Sequence, residues 1–434
     1  RGRLMAVAPG DTEAKPYLEN VEISVSNPTW SPDGNYFVCT SRNSRNRRSE
    51  TETSRPNMYS TERPRMGLYL VSVKDGQARN ISESIEDNVS QPVWSADGKA
   101  VFFKTLDSEN YDEALYGYFL EDAELRVLCQ GQESYSISGA AADGLVVTIQ
   151  DATRPQDMWL IDAKSGEKQQ LTTLNPQLGK FRFSKPELFD YYNADGERLA
   201  GLIYKPVDYQ PKQKVPVITY VYEKLSNGRH RFNARNQIFL NHGYAMLLPD
   251  VKIKVGETGT SFVKCVVPAV NAARALGFTN DKFGIWGGSF GAYATSFIIT
   301  QTDIFACAVS RATPPELFRN WASGRDRDSR NIVSGQARMG ADPFEARQRY
   351  IDQSAFFHLD KVNTPVLIMH GVKDYTILFG EGEMMFYALR QLGKEAEFVI
   401  YNYGDHSLSR GSRSDTLDVN RRMLDWFEKY LKEK

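Results

Sequence analysis

The chain has 434 residues, of which 41% are hydrophobic and 25% charged, and these values are typical of a folded globular protein with two or three domains. Lysines and arginines number 53 against 54 aspartates and glutamates, so the net charge of −1 argues against binding of nucleic acid through overall charge. No stretch approaches the roughly 18 consecutive apolar residues of a membrane-spanning helix. We expect the four widely spaced cysteines to be buried thiols: Cys39, Cys129, Cys265 and Cys307.

Residues 1–178 are predicted to form an all-β region, a partial β-propeller of about three blades. A Trp-Ser-x-Asp-Gly segment followed by an apolar strand occurs at 30–34 and again at 94–98, and a weaker copy contains Asp143-Gly144. Asp-Gly favours a tight hairpin turn, and we expect the tryptophan before it to pack between neighbouring sheets.

Two segments of this first half are interpreted as irregular. Residues 41–64 hold many charges and almost no apolar side chain, which favours a long solvated loop inserted into the first blade, with a basic binding patch as the alternative. Residues 176–198 are interpreted as a linker into the next domain.

Residues 179–434 alternate strands with helices, which predicts an α/β domain with a doubly wound, mostly parallel sheet covered on both faces. Pro268 predicts a kink in the first long helix or a later start for it. The predicted strands are 215–222, 245–249, 283–286, 366–370 and 396–400, and the predicted helices are 262–276, 292–301 and 416–432.

One motif in this domain carries chemistry. Gly287-Gly288-Ser289-Phe290-Gly291 lies between a predicted strand and a predicted helix, which is the setting of the nucleophile elbow of α/β-hydrolases. Such an elbow predicts an acid and then a histidine after later strands, and Asp374 and His406 stand at those places. His406 would take the proton of Ser289, and Asp374 would orient the imidazole.

Less specific interpretations exist for the same residues. Ser289 would then cap a helix, Asp374 would be a loop acid and His406 a surface residue. Asp405 is a rival to Asp374, although adjacent residues rarely reach the geometry that an acid–histidine pair needs. His370 ends a core strand and is expected to be structural, and the remaining histidines are given no role: His230, His242 and His358.

These motifs resemble the prolyl oligopeptidase family of serine peptidases, particularly its acylaminoacyl-peptidase and dipeptidyl-peptidase branches. The resemblance is strongest from about residue 200 onward, at Gly287 to Tyr293, His370 to Asp374 and Asp405-His406. It implies a propeller before a C-terminal α/β-hydrolase domain, and cleavage of short peptides through an acyl-enzyme. It also implies an oxyanion hole made by the Phe290 amide and the Tyr222 hydroxyl.

The chain departs from the family pattern after the candidate oxyanion tyrosine. Family members usually continue with Gly-Gly-Pro or a similar run, whereas this chain has Glu223-Lys224-Leu225. Asp250 is followed by residues 251–254 without the usual Arg-Gly-Ser, and Ala292 replaces a frequent glycine. These departures motivate the alternative of a catalytically weak binding or scaffold protein, beside that of an esterase using the same three residues.

The substrate side of the site is less specific. Tyr293, Phe318 and Trp321, together with Phe290, are candidates for an apolar pocket, and core packing is the alternative. The charged segment 325–330 would recognise a peptide terminus or form a solvated loop. We predict a short peptide as substrate, no metal or cofactor because the three residues need none, and no partner among nucleic acids or membranes.

Size raises a question about the first region. A closed propeller has roughly 4–8 blades, so about three blades imply either the C-terminal part of a longer protein or a reduced propeller. In the first case the exposed blade edge would pair with missing blades or with another molecule, including a second copy of the chain. The compartment stays open between cytoplasm, periplasm and secretion.

Overall fold

The computed structural model describes residues 5–6, 12–13, 15–16, 23, 25–42, 66–107, 111–141, 144–223, 225 and 229–432. These residues divide into two compact units. Unit 1 comprises those up to Arg182 together with the described part of Ser226–Asn233, and unit 2 comprises Phe183–Leu225 and the chain from Ala234 onward. Except for Ser41 and Arg42, the charged insertion predicted at 41–64 lies outside the described residues.

Unit 1 contains three four-stranded antiparallel sheets, each with its strands in chain order as in a propeller blade, after a short pair formed by β1 (Met5–Ala6) and β2 (Lys15–Pro16). The first sheet contains β3 (Ser26–Trp30), β4 (Tyr36–Arg42), β5 (Met66–Ser72) and β6 (Ala78–Asn80). The second contains β7 (Asn88–Trp94), β8 (Ala100–Leu106), β9 (Glu113–Phe119) and β10 (Glu124–Gly131). The third contains β11 (Ser134–Ala140), β12 (Gly144–Gln150), β13 (Asp157–Asp162) and β14 (Lys168–Gln170).

The repeated Ser-x-Asp-Gly turns use the same hydrogen bond in the first two sheets. The hydroxyl of Ser31 donates to Asp33 Oδ1 at 2.6 Å, and that of Ser95 donates to Asp97 Oδ1 at 2.7 Å. These bonds hold the pKa of both aspartates below the ordinary value because they stabilise the charged carboxylate. The repeated sequence therefore forms the same hydrogen-bonded turn in both sheets.

The two tryptophans that precede these turns have different environments. Trp94 is buried in a cluster that includes Val38 and Leu68 of the first sheet, and its indole N–H donates to the Thr29 carbonyl at 2.9 Å. This confirms the expected packing between neighbouring sheets. Trp30, in contrast, is 47% exposed.

The hydrogen bond of Trp94 gives a test of packing between the first two sheets. Trp94→Phe removes the bond and leaves the Thr29 carbonyl without this donor, so we expect the free energy of unfolding to fall by about 1–2 kcal/mol. Trp159→Phe is the matched control, because the indole N–H of Trp159 has no hydrogen-bond partner among the described residues. Urea unfolding measures both, and equal losses for the two variants would contradict the assignment.

Unit 2 is built on an eight-stranded sheet with the order β15-β16-β18-β17-β19-β20-β21-β22. The first three strands of that order pair antiparallel, and the strands from β18 onward pair parallel. These strands are β15 (Pro186–Tyr192), β16 (Arg198–Tyr204), β17 (Val215–Tyr220), β18 (Ala245–Pro249), β19 (Thr279–Gly288), β20 (Cys307–Arg311), β21 (Val366–Gly371) and β22 (Ala396–Tyr401).

Eight α-helices accompany this sheet in the described part of unit 2. They are α1 (Ala234–Asn241), α2 (Thr258–Ala275), α3 (Phe290–Ile298), α4 (Phe318–Trp321), α5 (Asp326–Val333), α6 (Arg347–Asp352), α7 (Phe379–Gln391) and α8 (Arg413–Leu431). Short 3₁₀ helices cover Pro176–Lys180 and Ala355–Lys361. The predicted α/β architecture is confirmed, and Pro268 lies inside α2 rather than at its start.

The interpretation of 176–198 as a plain linker was wrong, because β15 lies within it and forms an edge strand of the large sheet. All of its residues except Tyr191 are partly or fully exposed, as expected for an edge, so the sequence shows little apolar alternation. The sheet core is mainly aliphatic and aromatic, and all four cysteines are buried and free, as predicted. None of the described helices is long and apolar enough to cross a membrane.

Candidate active site

Ser289 occupies a sharp turn between β19 and α3. Its backbone has φ 58° and ψ −122°, a conformation that costs a non-glycine residue about 1–3 kcal/mol. The Ser289 amide donates to the Arg311 carbonyl at 2.9 Å, and the Ser289 carbonyl accepts from the Ala292 amide at 2.8 Å. The ends of two adjacent strands therefore hold the turn in place.

The flanking glycines are required because the backbone approaches itself closely. A Cβ at Gly287 would lie 2.1 Å from the Gly291 carbonyl oxygen, and a Cβ at Gly291 would lie 2.2 Å from the Val221 carbonyl oxygen. Neither contact is possible for a side chain. Both positions must therefore be glycine, as the nucleophile-elbow interpretation expects.

The two candidate oxyanion donors lie at this turn. Phe290 is the first residue of α3, where backbone amides have no partner within the helix. Tyr222 follows β17, and its ring lies against the elbow, because a Cβ at Gly291 would be 3.1 Å from Tyr222 Cδ2. The Tyr222 hydroxyl accepts a hydrogen bond from Gln336 Nε2 at 3.2 Å.

Asp374 and His406 follow β21 and β22 and meet directly. His406 Nδ1 lies 2.8 Å from Asp374 Oδ2. Since a carboxylate only accepts, Nδ1 carries the proton and the neutral ring leaves Nε2 as an acceptor. Ser289, Asp374 and His406 all follow parallel strands of one sheet, so their loops leave it at the same edge.

Asp374 is fully buried yet charged. Burial alone would raise its pKa, but hydrogen bonds from His370 and His406 and the Ile377 amide outweigh this effect and hold the pKa well below its usual range. The second oxygen, Oδ1, accepts from the Thr376 and Ile377 amides at 2.8 and 2.9 Å. The carboxylate is thus fixed in place and ionised at neutral pH.

Asp405, the alternative candidate for the acid, forms a different set of hydrogen bonds. Asp405 Oδ1 accepts from the amide and the hydroxyl of Ser407 at 2.9 and 2.6 Å, which fixes the turn after His406. His370 is buried in the core, where Nε2 lies 3.1 Å from the Ile377 carbonyl and 3.5 Å from Asp374 Oδ2. The expected structural role of His370 agrees with this position.

Sequence reasoning missed Arg311, which ends β20. Its guanidinium donates to the Ser407 carbonyl at 3.2 Å, beside His406, while its own carbonyl accepts from the Ser289 amide. Burial, with the neighbouring Arg235, lowers the pKa of Arg311 to about 9. No local pattern marks such a residue, because its partners lie in other loops.

The candidate pocket residues separate into two groups. Tyr293 has no exposed surface and donates to the Gln353 carbonyl at 2.6 Å, which makes it a core residue and corrects its assignment to a pocket. Phe318 is 49% exposed, and Trp321 is partly exposed and packs edge-to-face on Phe344 at 5.8 Å. Phe344 is exposed as well and was not predicted.

The charged segment 325–330 contacts the acid loop. Arg325 donates to the carbonyls of Tyr375 and Thr376, the two residues that follow Asp374, and its second bond measures 3.1 Å. The arginine therefore has partners within the protein.

Comparison with known proteins finds a family model that matches these residues. Residues 230–434 match the model of the prolyl oligopeptidase family. The matched segment includes Ser289, Asp374 and His406. This match agrees with the resemblance seen in the sequence motifs.

Curated relatives extend the similarity into unit 1. An uncharacterized peptidase of Bacillus subtilis is 24% identical over 371 residues, covering 81% of this chain and 55% of its own length. Dipeptidyl-peptidase 5 of Porphyromonas gingivalis is 21% identical over 397 residues, covering 84% of this chain and 55% of its own. The chain thus spans about half the length of these relatives.

Solved structures of peptidases share the fold. An acylaminoacyl peptidase of Pyrococcus horikoshii superposes with a TM-score of 0.76 at 23% identity, covering 98% of this chain and 66% of that protein. Dipeptidyl peptidase 4 of Porphyromonas gingivalis gives a TM-score of 0.72 at 17% identity, covering 93% and 56%. At these identities the likeness concerns the fold.

A buried pair of acids is a further feature of unit 2. Glu381, in the first turn of α7, is buried, and its Oε1 lies 3.3 Å from Arg319 Nε. Its Oε2 has no hydrogen-bond partner among the described residues. Burial, together with the nearby Glu316, raises the pKa of Glu381 to about 8.

This raised pKa predicts a pH-dependent cost. Between pH 4.5 and 8 the unfolded chain releases a proton that folded Glu381 retains, so stability falls as the pH rises through this window. Glu381→Gln removes the titration, and we expect the variant to gain about 3–4 kcal/mol relative to the parent between pH 5 and pH 8. Urea unfolding at several pH values measures the gain.

Glu383→Gln, on the same helix, is the matched control for this measurement. A difference between Glu381→Gln and the parent that stays constant from pH 5 to pH 8 would contradict the assignment.

Proposed function

We propose that this protein is a serine peptidase that hydrolyses short peptides through an acyl-enzyme on Ser289, with His406 as general base and Asp374 as its orienting acid. The observation that carries the proposal is the 2.8 Å hydrogen bond between His406 Nδ1 and buried Asp374, at the sheet edge where Ser289 leaves β19. The strained turn at Ser289 supports it, since such turns present a nucleophile.

In the first step the Ser289 oxygen attacks the scissile carbonyl carbon while its proton passes to His406 Nε2. The carbonyl oxygen becomes an oxyanion, for which the Phe290 amide and the Tyr222 hydroxyl are the proposed donors. The C–N bond then breaks, and the imidazolium returns its proton to the leaving amine. Asp374 stays ionised and stabilises the charged imidazolium, which its depressed pKa favours.

Hydrolysis of the acyl-enzyme repeats these roles with water. His406 takes one proton from water, the hydroxide oxygen bonds to the acyl carbon, and the ester bond to Ser289 breaks. The proton on His406 then returns to the serine oxygen. All groups that the reaction needs belong to the chain, so the proposal invokes no metal or cofactor.

A peptide is the proposed substrate class for two reasons. The relatives are named as peptidases, and a solved acylaminoacyl peptidase with a TM-score of 0.75 is in complex with Z-Gly-Gly-Phe-chloromethyl ketone. The exposed ring of Phe318 and the partly exposed ring of Trp321 remain our candidates for contact with an apolar side chain of the substrate.

A fluorophosphonate probe followed by a peptide-library digest tests the proposal. We expect the probe to label Ser289, mass spectrometry to detect cleaved peptides, and Ser289→Ala to abolish both. Absence of label on folded protein would overturn the nucleophile assignment. Cleavage of p-nitrophenyl esters without cleavage of any peptide would instead support the esterase alternative.

The choice of acid gives a second prediction. Asp374→Asn replaces the acceptor of the His406 proton with an amide and favours the wrong tautomer, so we expect kcat to fall by about 10³–10⁴. Asp405→Asn is the matched control, because among the described side chains its carboxylate bonds only to Ser407, and we expect a change below about tenfold. Steady-state kinetics on one peptide gives kcat for both variants. A larger loss of kcat in Asp405→Asn than in Asp374→Asn would make Asp405 the orienting acid.

A further inference from the structure

The residues after Tyr222 differ from the family pattern, and the structure gives one of them a partner. Glu223 Oε2 lies 3.4 Å from Arg338 Nη1, and both side chains are largely buried. The same Nη1 donates to the Gln336 carbonyl at 2.8 Å. Glu223 is therefore linked through Arg338 to the residue that contacts Tyr222.

Gln336 is held firmly at this position. The backbone amide of Gln336 donates to Asn331 Oδ1 at 3.0 Å, and the backbone amide of Ala337 donates to the Asn331 carbonyl at 3.1 Å. The carbonyl of Arg338 accepts from the Gly256 amide at 2.8 Å. Because the backbone is fixed on both sides, the Gln336 side chain reaches Tyr222 from a defined direction.

The chemistry of the contact sets the direction of the phenol proton. A tyrosine hydroxyl has one proton to donate and lone pairs to accept. Gln336 Nε2 occupies an acceptor position of the Tyr222 oxygen at 3.2 Å, which leaves the proton for another acceptor. A hydroxyl that accepts one hydrogen bond also becomes a better donor, because the two bonds polarise each other.

We propose that Gln336 is a positioning residue that orients the Tyr222 hydroxyl as a donor to the oxyanion, with the Glu223–Arg338 pair holding Gln336 in place. This inference rests on the proposed function, in which Tyr222 is an oxyanion donor. It gives the departure at Glu223 a role: the residue belongs to the support of the oxyanion hole.

The rate of Ser289 labelling by a fluorophosphonate tests the inference without a choice of substrate. Attack of the serine oxygen on phosphorus expels fluoride, and the phosphoryl oxygen takes the place of the oxyanion. We compare the parent with Tyr222→Phe, Gln336→Ala, Gln336→Glu and the double variant Tyr222→Phe/Gln336→Ala. Gln348→Ala, an exposed glutamine on α6, is the control, and thermal melting checks that each variant folds.

We expect Tyr222→Phe to slow labelling about 100-fold and Gln336→Ala to slow it about tenfold. In the Tyr222→Phe background Gln336→Ala should have no further effect, because its action passes through the lost hydroxyl. Gln336→Glu should approach Tyr222→Phe, because an ionised carboxylate accepts the phenol proton. In peptide hydrolysis the Gln336→Ala loss should fall on kcat, with KM nearly unchanged.

Several outcomes would overturn the inference. Additive losses in the double variant would mean that Gln336 does not act through Tyr222, and so would parent-like labelling of Gln336→Glu or a loss confined to KM. Unaltered labelling of Tyr222→Phe would remove Tyr222 from the oxyanion hole and the inference with it. Gln336-dependent labelling without peptide cleavage would support the inference and overturn the peptidase proposal instead.

Discussion

The backbone of Ser289 is held at positive φ by close backbone contacts that leave no room for a side chain at Gly287 or Gly291. Gly291 lies against the Val221 carbonyl, and Gly287 lies against Gly291. This close packing brings the end of β17, and with it Tyr222, against the start of α3. The position of the candidate nucleophile and that of a candidate oxyanion donor therefore follow from one contact. The parallel strands β19 to β22 add the other loops at the same edge.

Much of the α/β fold could be predicted because its central strands are short apolar runs buried on both faces, as at Ala245–Pro249 and Val366–Gly371. The helix α1 was missed since Asn236 and Gln237 are buried in it, which breaks the apolar periodicity. Gln237 instead bonds the amide and carbonyl of Ser184 at 3.0 and 2.9 Å. A helix stabilised by such polar contacts leaves little trace in hydropathy.

The candidate site also contains residues that could be predicted from the sequence and residues that could not. Ser289, Asp374 and His406 could be predicted because each must follow a strand, in a chain order that the elbow fixes. Gln336 meets Tyr222 across 114 residues, and Arg311 meets Ser407 across 96, so no local spacing indicates either contact. Tyr293 shows the opposite error, since an aromatic residue beside the elbow can equally complete the core.

Arg311 touches two of the three candidate catalytic loops, one through its carbonyl and one through its guanidinium. The serine turn and the histidine turn are therefore both hydrogen-bonded to the residue that ends β20. A displacement of the end of β20 would therefore be transmitted to both turns through these two hydrogen bonds.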